Sequence, residues 1–410
     1  MIEQLKADFE KFFNSKKTIE NLDLRKENLE YFLKQGFPNK KNEDWKYSDL
    51  NSIISSNFEK LNFFYDDEVQ KKPDIKYIDD IDCNELILIN GKIAEINFDQ
   101  VDKQNIIILN DNKSDFSLEN KNPLIYLNNA LTHNVVKILI EENYQVKKPI
   151  VIHHLLSENL KSTLLNQKIE IVLGENSQSR IVNIFQENNN KNFINSAFKI
   201  LLARSAILKN YKLDINYNNN IKYLFDKIEL DENSNFENFI FSQGSKFIKN
   251  EIECDLKGKY SSAFINGILN LNKSNHHEIK TRINHISEST KSYQLIKNVL
   301  KDESKGVFQG KIFVNKKAQK TDGYQLSKAL LVDKNTEFDA KPELEIYADN
   351  VKCSHGSTSG NIDENSIFYL MSRGLSRVQA KQLIIDGFLL EVVEQITDSE
   401  IKKFVEKQII

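Results

Sequence analysis

Ile252-Glu253-Cys254-Asp255-Leu256 alternates apolar and polar side chains with a period of two, and Lys168-Ile169-Glu170-Ile171-Val172 does the same. Successive side chains of a strand point to opposite faces, so such runs read as half-buried strands. Working outward, Leu86-Ile87-Leu88-Ile89 and Ile93-Ala94-Glu95-Ile96 add further strand-sized segments from about residue 84. Turn-like Asn, Asp, Gly and Ser separate them, and no long helical window intervenes as βαβ units would require. The middle of the chain is therefore all-β, and three architectures compete: a sandwich, a closed barrel, and a parallel β-helix of stacked coils. Asn266-Gly267 between Phe264-Ile265 and Ile268-Leu269 favours an antiparallel hairpin if it forms a type I′ turn. A β-helix corner also uses Asn and Gly. So many short strands in one region tilt the reading toward stacked coils, although no strict repeat period stands out.

Both flanks read as helical. Leu5, Phe9, Phe12 and Phe13, then Leu22, Leu29, Phe32 and Leu33, recur at three-to-four-residue spacing. Gly36-Phe37-Pro38 breaks this pattern, and Asn42 to Leu50 opens another short element. After Gly360, Asp363 and Glu364 precede Ile367, Phe368, Leu370 and Met371, with Arg373-Gly374 as a stop. Ser376 stands three residues before Gln379, a capping-box spacing, and Thr397 with Glu400 repeats it. The expected organisation is a helical region over 1–83, a β core over 84–360 and a helical region over 361–410. The apolar stripe of the tail must meet the β body or another protein, the body being the favoured answer.

Composition narrows the function classes. The 410 residues carry 56 Lys and Arg against 59 Asp and Glu, a net charge of −3 that lacks the basic footprint of a duplex-binding protein. No run approaches the roughly 18 apolar residues needed to span a bilayer. The start, Met1-Ile2-Glu3-Gln4, has neither the basic nor the apolar region of a secretory signal. Three cysteines, Cys83, Cys254 and Cys353, cannot build a disulfide framework and suit a reducing compartment, so a cytoplasmic location is expected.

The richest local text runs from Lys341-Pro342-Glu343-Leu344-Glu345-Ile346 to Cys353-Ser354-His355-Gly356. Residues i and i+2 of a strand share a face, so the Cys353 thiol and the His355 imidazole would emerge together. That pair suits soft or borderline metals, including iron–sulfur clusters, but two ligands do not close a tetrahedral site. A buried Cys beside a hydrogen-bonded His is the plainer alternative. A Cys-His nucleophile is disfavoured, because no local nucleophile signature surrounds Cys353. Cys254 shares a face with Ile252 and Leu256 and reads as core, whereas Cys83 lies in an acidic connector. His153-His154 and His276-His277 cannot form a metal fork, since strand neighbours face opposite sides. His133 and His285 are singletons, and His285 reads as a hydrogen-bonded histidine at a coil end. Zinc-type spacings, a Walker-A loop and the dinucleotide glycine fingerprint are absent.

The order of several motifs resembles the SufB/SufD family of the SUF iron–sulfur cluster assembly machinery. Val307-Phe308-Gln309-Gly310-Lys311-Ile312 is similar to the family's Phe-x-Gly-x-Ile stretch. Ala318-Gln319-Lys320-Thr321, the 341–346 block, Cys353-Ser354-His355-Gly356 and Phe368-Tyr369-Leu370-x-Ser372-Arg373-Gly374 follow in sequence. Near the start, Glu43-Asp44-Trp45-Lys46-Tyr47 resembles the Glu-x-Trp-Lys-Tyr motif. The Cys-Ser-His-Gly block and modest length resemble the SufD branch rather than the longer SufB branch. Family members commonly read Asp-Asp before the valine and Gly-Ala-Thr after the histidine, where this chain has Asp349-Asn350 and Gly356-Ser357-Thr358.

The resemblance implies a right-handed parallel β-helix core between helical ends, which overrides the hairpin reading of Asn266-Gly267. It implies a scaffold without catalysis of its own. The partners it implies are a SufB-like paralogue met through the β-helix end and a SufC-like ATPase bound by the C-terminal helices, with a homodimer when isolated. It further implies a transient iron–sulfur cluster at the shared interface, served by His355 as a metal ligand or proton-handling group and, less firmly, by Cys353. A reduced flavin as electron source stays open, and no tightly bound cofactor is expected on the chain alone. Two rivals remain: a structural homodimer without a metal role, and a β-helix enzyme acting on polysaccharide, which would need carboxylates gathered on one stacked face.

Overall fold

From Val135–Ile140 to Lys352–Asn361, sixteen strands alternate, one after the next, between two sheets in a computed structural model that describes residues 2–15, 21–65, 73, 75, 81–111, 122–132, 134–186 and 190–409. One sheet has ten strands and the other nine; from Val135–Ile140 on, each strand pairs in parallel with the strand two places along the chain, and Asn84–Ile89 pairs in parallel with Ile150–Leu155. This is a parallel β-solenoid of about eight turns. The pairing is antiparallel only where Asn84–Ile89 meets Lys92–Asn97 and where Ile106–Asp111 meets Val135–Ile140, at the N-terminal end of the stack. Asn266-Gly267 is not a turn: it lies inside the strand Ser262–Leu271. Gly267 faces the lumen, where an added Cβ would stand 2.8 Å from Ile279 and 2.9 Å from Ile296. A glycine chosen for close packing between sheets looks in sequence like one chosen for a turn.

The stack has a repeat that its residue types obscure. Ile138, Ile171, Ile200, Ile228, Cys254, Ile283, Ile312 and Leu344 occupy one register position of the nine-stranded sheet. Those from Ile138 to Ile312 are fully buried in the lumen, where each such aliphatic side chain contributes about 1.5–3 kcal/mol. Cys254 is thus a core residue, as its alternation indicates. One corner of the coils repeats too. Asn143, Asn176, Ser205, Asn233, Tyr260, Ser289 and Lys320 all have positive φ, and each backbone N–H donates to a carbonyl of the next coil. Beside them Ser177, Ser234, Ser261, Thr290 and Thr321 are buried, with hydroxyls donating to the carbonyl three residues back. The steps vary in length, and the corner residue varies in type, so the period is not strict.

Helices cover the outer faces of both sheets. On the nine-stranded sheet lie α1 (Ile2–Ser15), α2 (Leu22–Gln35), α3 (Leu50–Asn57) and, from within the β region, α5 (Pro123–Leu131), the short α4 being Gln100–Lys103. Gly36, with φ of 70°, closes α2, where the Gly-Phe-Pro signal places a break. The side chains of Phe12 and Phe13, and His133 as a whole, lie outside the described residues. On the ten-stranded sheet, α7 (Arg377–Val393) and α8 (Ser399–Ile409) bury Ile385, Leu389, Val393, Ile401 and Val405 against Val182, Leu213, Phe241, Leu295 and Val299. The capping box of Ser376 and Gln379 starts α7. At α8 the cap is Asp398, which accepts from the N–H groups of Glu400 and Ile401, while Thr397 is turned to Lys209. The carboxylate next to Thr397 wins the position because it can accept both amides at once. No helix among the described residues is long and apolar enough to cross a membrane.

Candidate functional site

The solenoid ends on two strands with one sheet neighbour each: Glu337–Ile346 in the nine-stranded sheet and Lys352–Asn361 in the ten-stranded sheet. Cys353 and His355 sit on the second of these, opposite Gly323 and Gln325 of the preceding coil. Both therefore face the lumen at its mouth, as their i, i+2 spacing requires. Cys353 is half-buried among Ile312, Val314 and Leu344, and burial raises its pKa above the ordinary thiol value. The resting group is a thiol, and it becomes a ligand only with a metal or a positive charge beside it. His355 lies exposed at the rim.

Beneath them the lumen is polar. A Cβ on Gly323 would lie 3.4 Å from the Cys353 sulfur and 3.6 Å from His285 Nε2, so this glycine leaves thiol and imidazole facing one gap. His285 is committed elsewhere. Its Nδ1 is 2.7 Å from Thr290 Oγ1 and its Nε2 is 2.9 Å from Ser292 Oγ, and burial lowers its pKa to about 4, so it is neutral. It is the hydrogen-bonded coil-end histidine expected of it. In the next register column, Gln294, Gln325 and His355 stack in sequence. Deeper in the lumen, two ion pairs that sequence reading does not anticipate, Lys212–Asp226 and Lys222–Asp214, are almost wholly buried. No group of three His, Cys, Asp or Glu able to hold a metal exists among the described residues. Cys353 and His355 are two side chains of ligand type, short of the four a tetrahedral centre takes.

The remaining singled-out residues go to structure. His154 and His277 face the lumen and His153 and His276 the outer surface, so neither pair forms a fork. Cys83 has its thiol pushed up to about 11, chiefly by burial and then by Glu85. Trp45 is buried under the N-terminal layer, and Lys249 Nζ lies 4.6 Å from its ring centroid while pairing with Glu278. Glu43 reaches Lys341 on the edge strand Glu337–Ile346 at 3.0 Å, tying the N-terminal motif to the mouth. A cleft of about 360 Å³ beside it contains Asp44, Glu251, Lys280, Arg282 and Lys311, with Lys280 held between Asp44 at 2.8 Å and Glu251 at 2.7 Å. With Glu253 and Glu343, the cleft sets four carboxylates against three cations. On the other side of the stack, α6 (Glu364–Ser372) and the start of α7 leave Phe368 74% and Val378 78% exposed, with Tyr369, Met371 and Leu383 around them. The tail thus meets the body with one face and leaves another apolar and uncovered.

The molecule is a parallel β-solenoid between helical ends, with a thiol and an imidazole on its last strand and an exposed apolar face on its C-terminal helices. The chain belongs to the SufBD family: residues 154–388 match the SufBD core domain of SUF-system FeS cluster assembly, and residues 4–152 match the SufBD N-terminal region. It is similar to the iron-sulfur cluster assembly protein SufD of Escherichia coli, with 28% identity over 92% of this chain and 89% of that one. It is 22% identical to the chloroplastic protein ABCI7 of Arabidopsis thaliana over 92% of this chain and 83% of the relative. The iron-sulfur cluster assembly protein SufB of Bacillus subtilis matches 48% of this chain and 43% of its own length at 27% identity.

Proposed function

We propose that this chain is a SufD-like, non-catalytic scaffold subunit that completes an iron–sulfur assembly site with a SufB-like paralogue. The observation that carries the reading is the position of His355 and Cys353 at the open solenoid mouth, a two-ligand half-site on the C-terminal end of the stack. A partner solenoid docked there would supply the missing ligands and pair the bare strand edges. The nascent cluster is cargo, passed on rather than kept, and the chain alone holds no tight cofactor. A reduced flavin is one electron source compatible with this scheme. The exposed face around Phe368, Tyr369 and Val378 supports docking of a SufC-like ATPase. Its nucleotide cycle would move the subunits and open the site. Membership of an assembly family accords with work in the cytoplasm.

The same edges give a second reading for the purified chain, a homodimer joined mouth to mouth. A polysaccharide-cleaving role finds less support, because Glu251, Glu253 and Glu278 on the outer face are ion-paired with lysines. The test is co-expression with a SufB-like paralogue and the ATPase, followed by iron and sulfide analysis of the purified complex. His355→Ala is expected to cut cluster content severely and Cys353→Ser to cut it less. Undiminished iron and sulfide in the His355→Ala complex would remove that residue from the mechanism.

A further inference from the structure

Within the lumenal column that ends at His355, the two members below it are rungs that cross to the opposite sheet. Gln294 accepts from Thr281 Oγ1 at 2.6 Å. Gln325, fully buried, donates through Nε2 to the backbone oxygen of Glu343 at 3.3 Å. Glu343 belongs to one of the two edge strands, and Gln325 is the register neighbour of His355 on the other. Gln325, on Asp322–Leu331, therefore ties the edge strand of one sheet to the strand against which the His355 strand is paired. Its span depends on Gly310: a Cβ there would lie 2.2 Å from Gln325 Oε1 and 2.6 Å from the Phe308 ring. The Oε1 atom has no protein partner, although the residue is entirely buried. A buried amide that leaves one oxygen unpaired costs free energy, and an apolar side chain of similar length would suit a core better. Such a residue makes sense where geometry matters more than stability.

We propose that Gln325 is the positioning residue of the site, a cross-lumen brace that fixes the strand carrying His355 relative to the facing edge strand, with Gly310 making room for it. The proposal rests on the half-site reading of His355, and it assigns to Gln325 a supporting role of the kind that outer groups play around metal ligands.

Gln325→Met keeps the length and removes both polar atoms, and Gly310→Ala keeps the glutamine but pushes it out of its span. In the isolated chain, backbone hydrogen exchange at 337–346 and 352–361 is expected to quicken about fivefold in Gln325→Met, the equivalent of one lost hydrogen bond, with inner coils unchanged. Its thermal midpoint is expected to hold or rise. In the co-expressed complex, iron retention is expected to weaken roughly tenfold at unchanged yield of the assembly. Gly310→Ala should reproduce the exchange pattern with the glutamine still present. Unchanged exchange in both variants would overturn the brace, as would a thermal midpoint that falls in step with iron in Gln325→Met, which marks a merely structural residue. Full iron in Gln325→Met beside depleted iron in His355→Ala would overturn its service to the site. Full iron in His355→Ala would instead sink the half-site reading, and the exchange measurement would still judge the brace.

Discussion

Lys249 and Glu278 face each other with both side chains wholly out of solvent, roofed by Trp45 and joined by Ser48 and Gln309. Removing one member strands the other charge in a low-dielectric layer, whereas removing both restores an ordinary apolar contact. Glu278→Ala is expected to lower unfolding free energy by about 3–5 kcal/mol, and Lys249→Met with Glu278→Leu to recover most of it, read from urea midpoints. A double variant no better than the single one would show that the pair is needed for more than charge balance. Cys353 and His355 were legible at this scale because strand parity alone puts them on one face. Gln325, Gly310 and Gly323 were not, since their roles depend on which residue stands across the lumen, and no spacing along the chain encodes that.

At the scale of elements, strands and helix caps followed from local chemistry, and corners did not. Ser376 with Gln379 forms its capping box because both partners lie within one turn of the chain. The left-handed corner positions hold Asn, Ser, Tyr or Lys, and only their stacking on the next coil reveals them as one device. Tyr260 is the bulkiest of these, with φ of 61° and its ring largely in solvent. The left-handed region costs an ordinary L-residue about 1–2 kcal/mol, less for asparagine, which three other coils use there. Tyr260→Asn is therefore expected to stabilise the chain by roughly 0.5–1 kcal/mol, seen as a raised thermal midpoint. A lowered midpoint would mean that the ring contributes packing which outweighs the backbone strain.

Across the whole molecule, the solenoid wraps several histidines in its lumen. Burial lowers the pKa of His154 to about 3 and of His277 and His285 to about 4, against an ordinary 6.5. On the outer faces burial likewise lowers His153 to about 4 and His276 to about 3. The unfolded chain takes up five protons that the folded chain refuses, so stability is complete above pH 6.5 and is lost as pH falls toward 4. Each histidine contributes up to about 1.4 kcal/mol per pH unit in that window, at most about 7 kcal/mol per unit for the five. Denaturant midpoints at pH 7.5, 6 and 5 should trace this slope, and His154→Asn should flatten it by about a fifth. An unaltered slope in that variant would show that His154 is not buried neutral.

The sequence by itself determined that the middle of this protein is β, that its ends are helical and that a thiol and an imidazole share one strand face. Those are consequences of periodicity and capping, which act over a few residues. Only the tertiary structure decided that Asn266-Gly267 runs straight through a strand, that the coils repeat with uneven length, and that Cys353 and His355 stand at an open mouth with Gln325 beneath them. Parallel pairing joins residues some 30 positions apart, and which side chains meet across the lumen is set by how coils stack rather than by their neighbours in the chain.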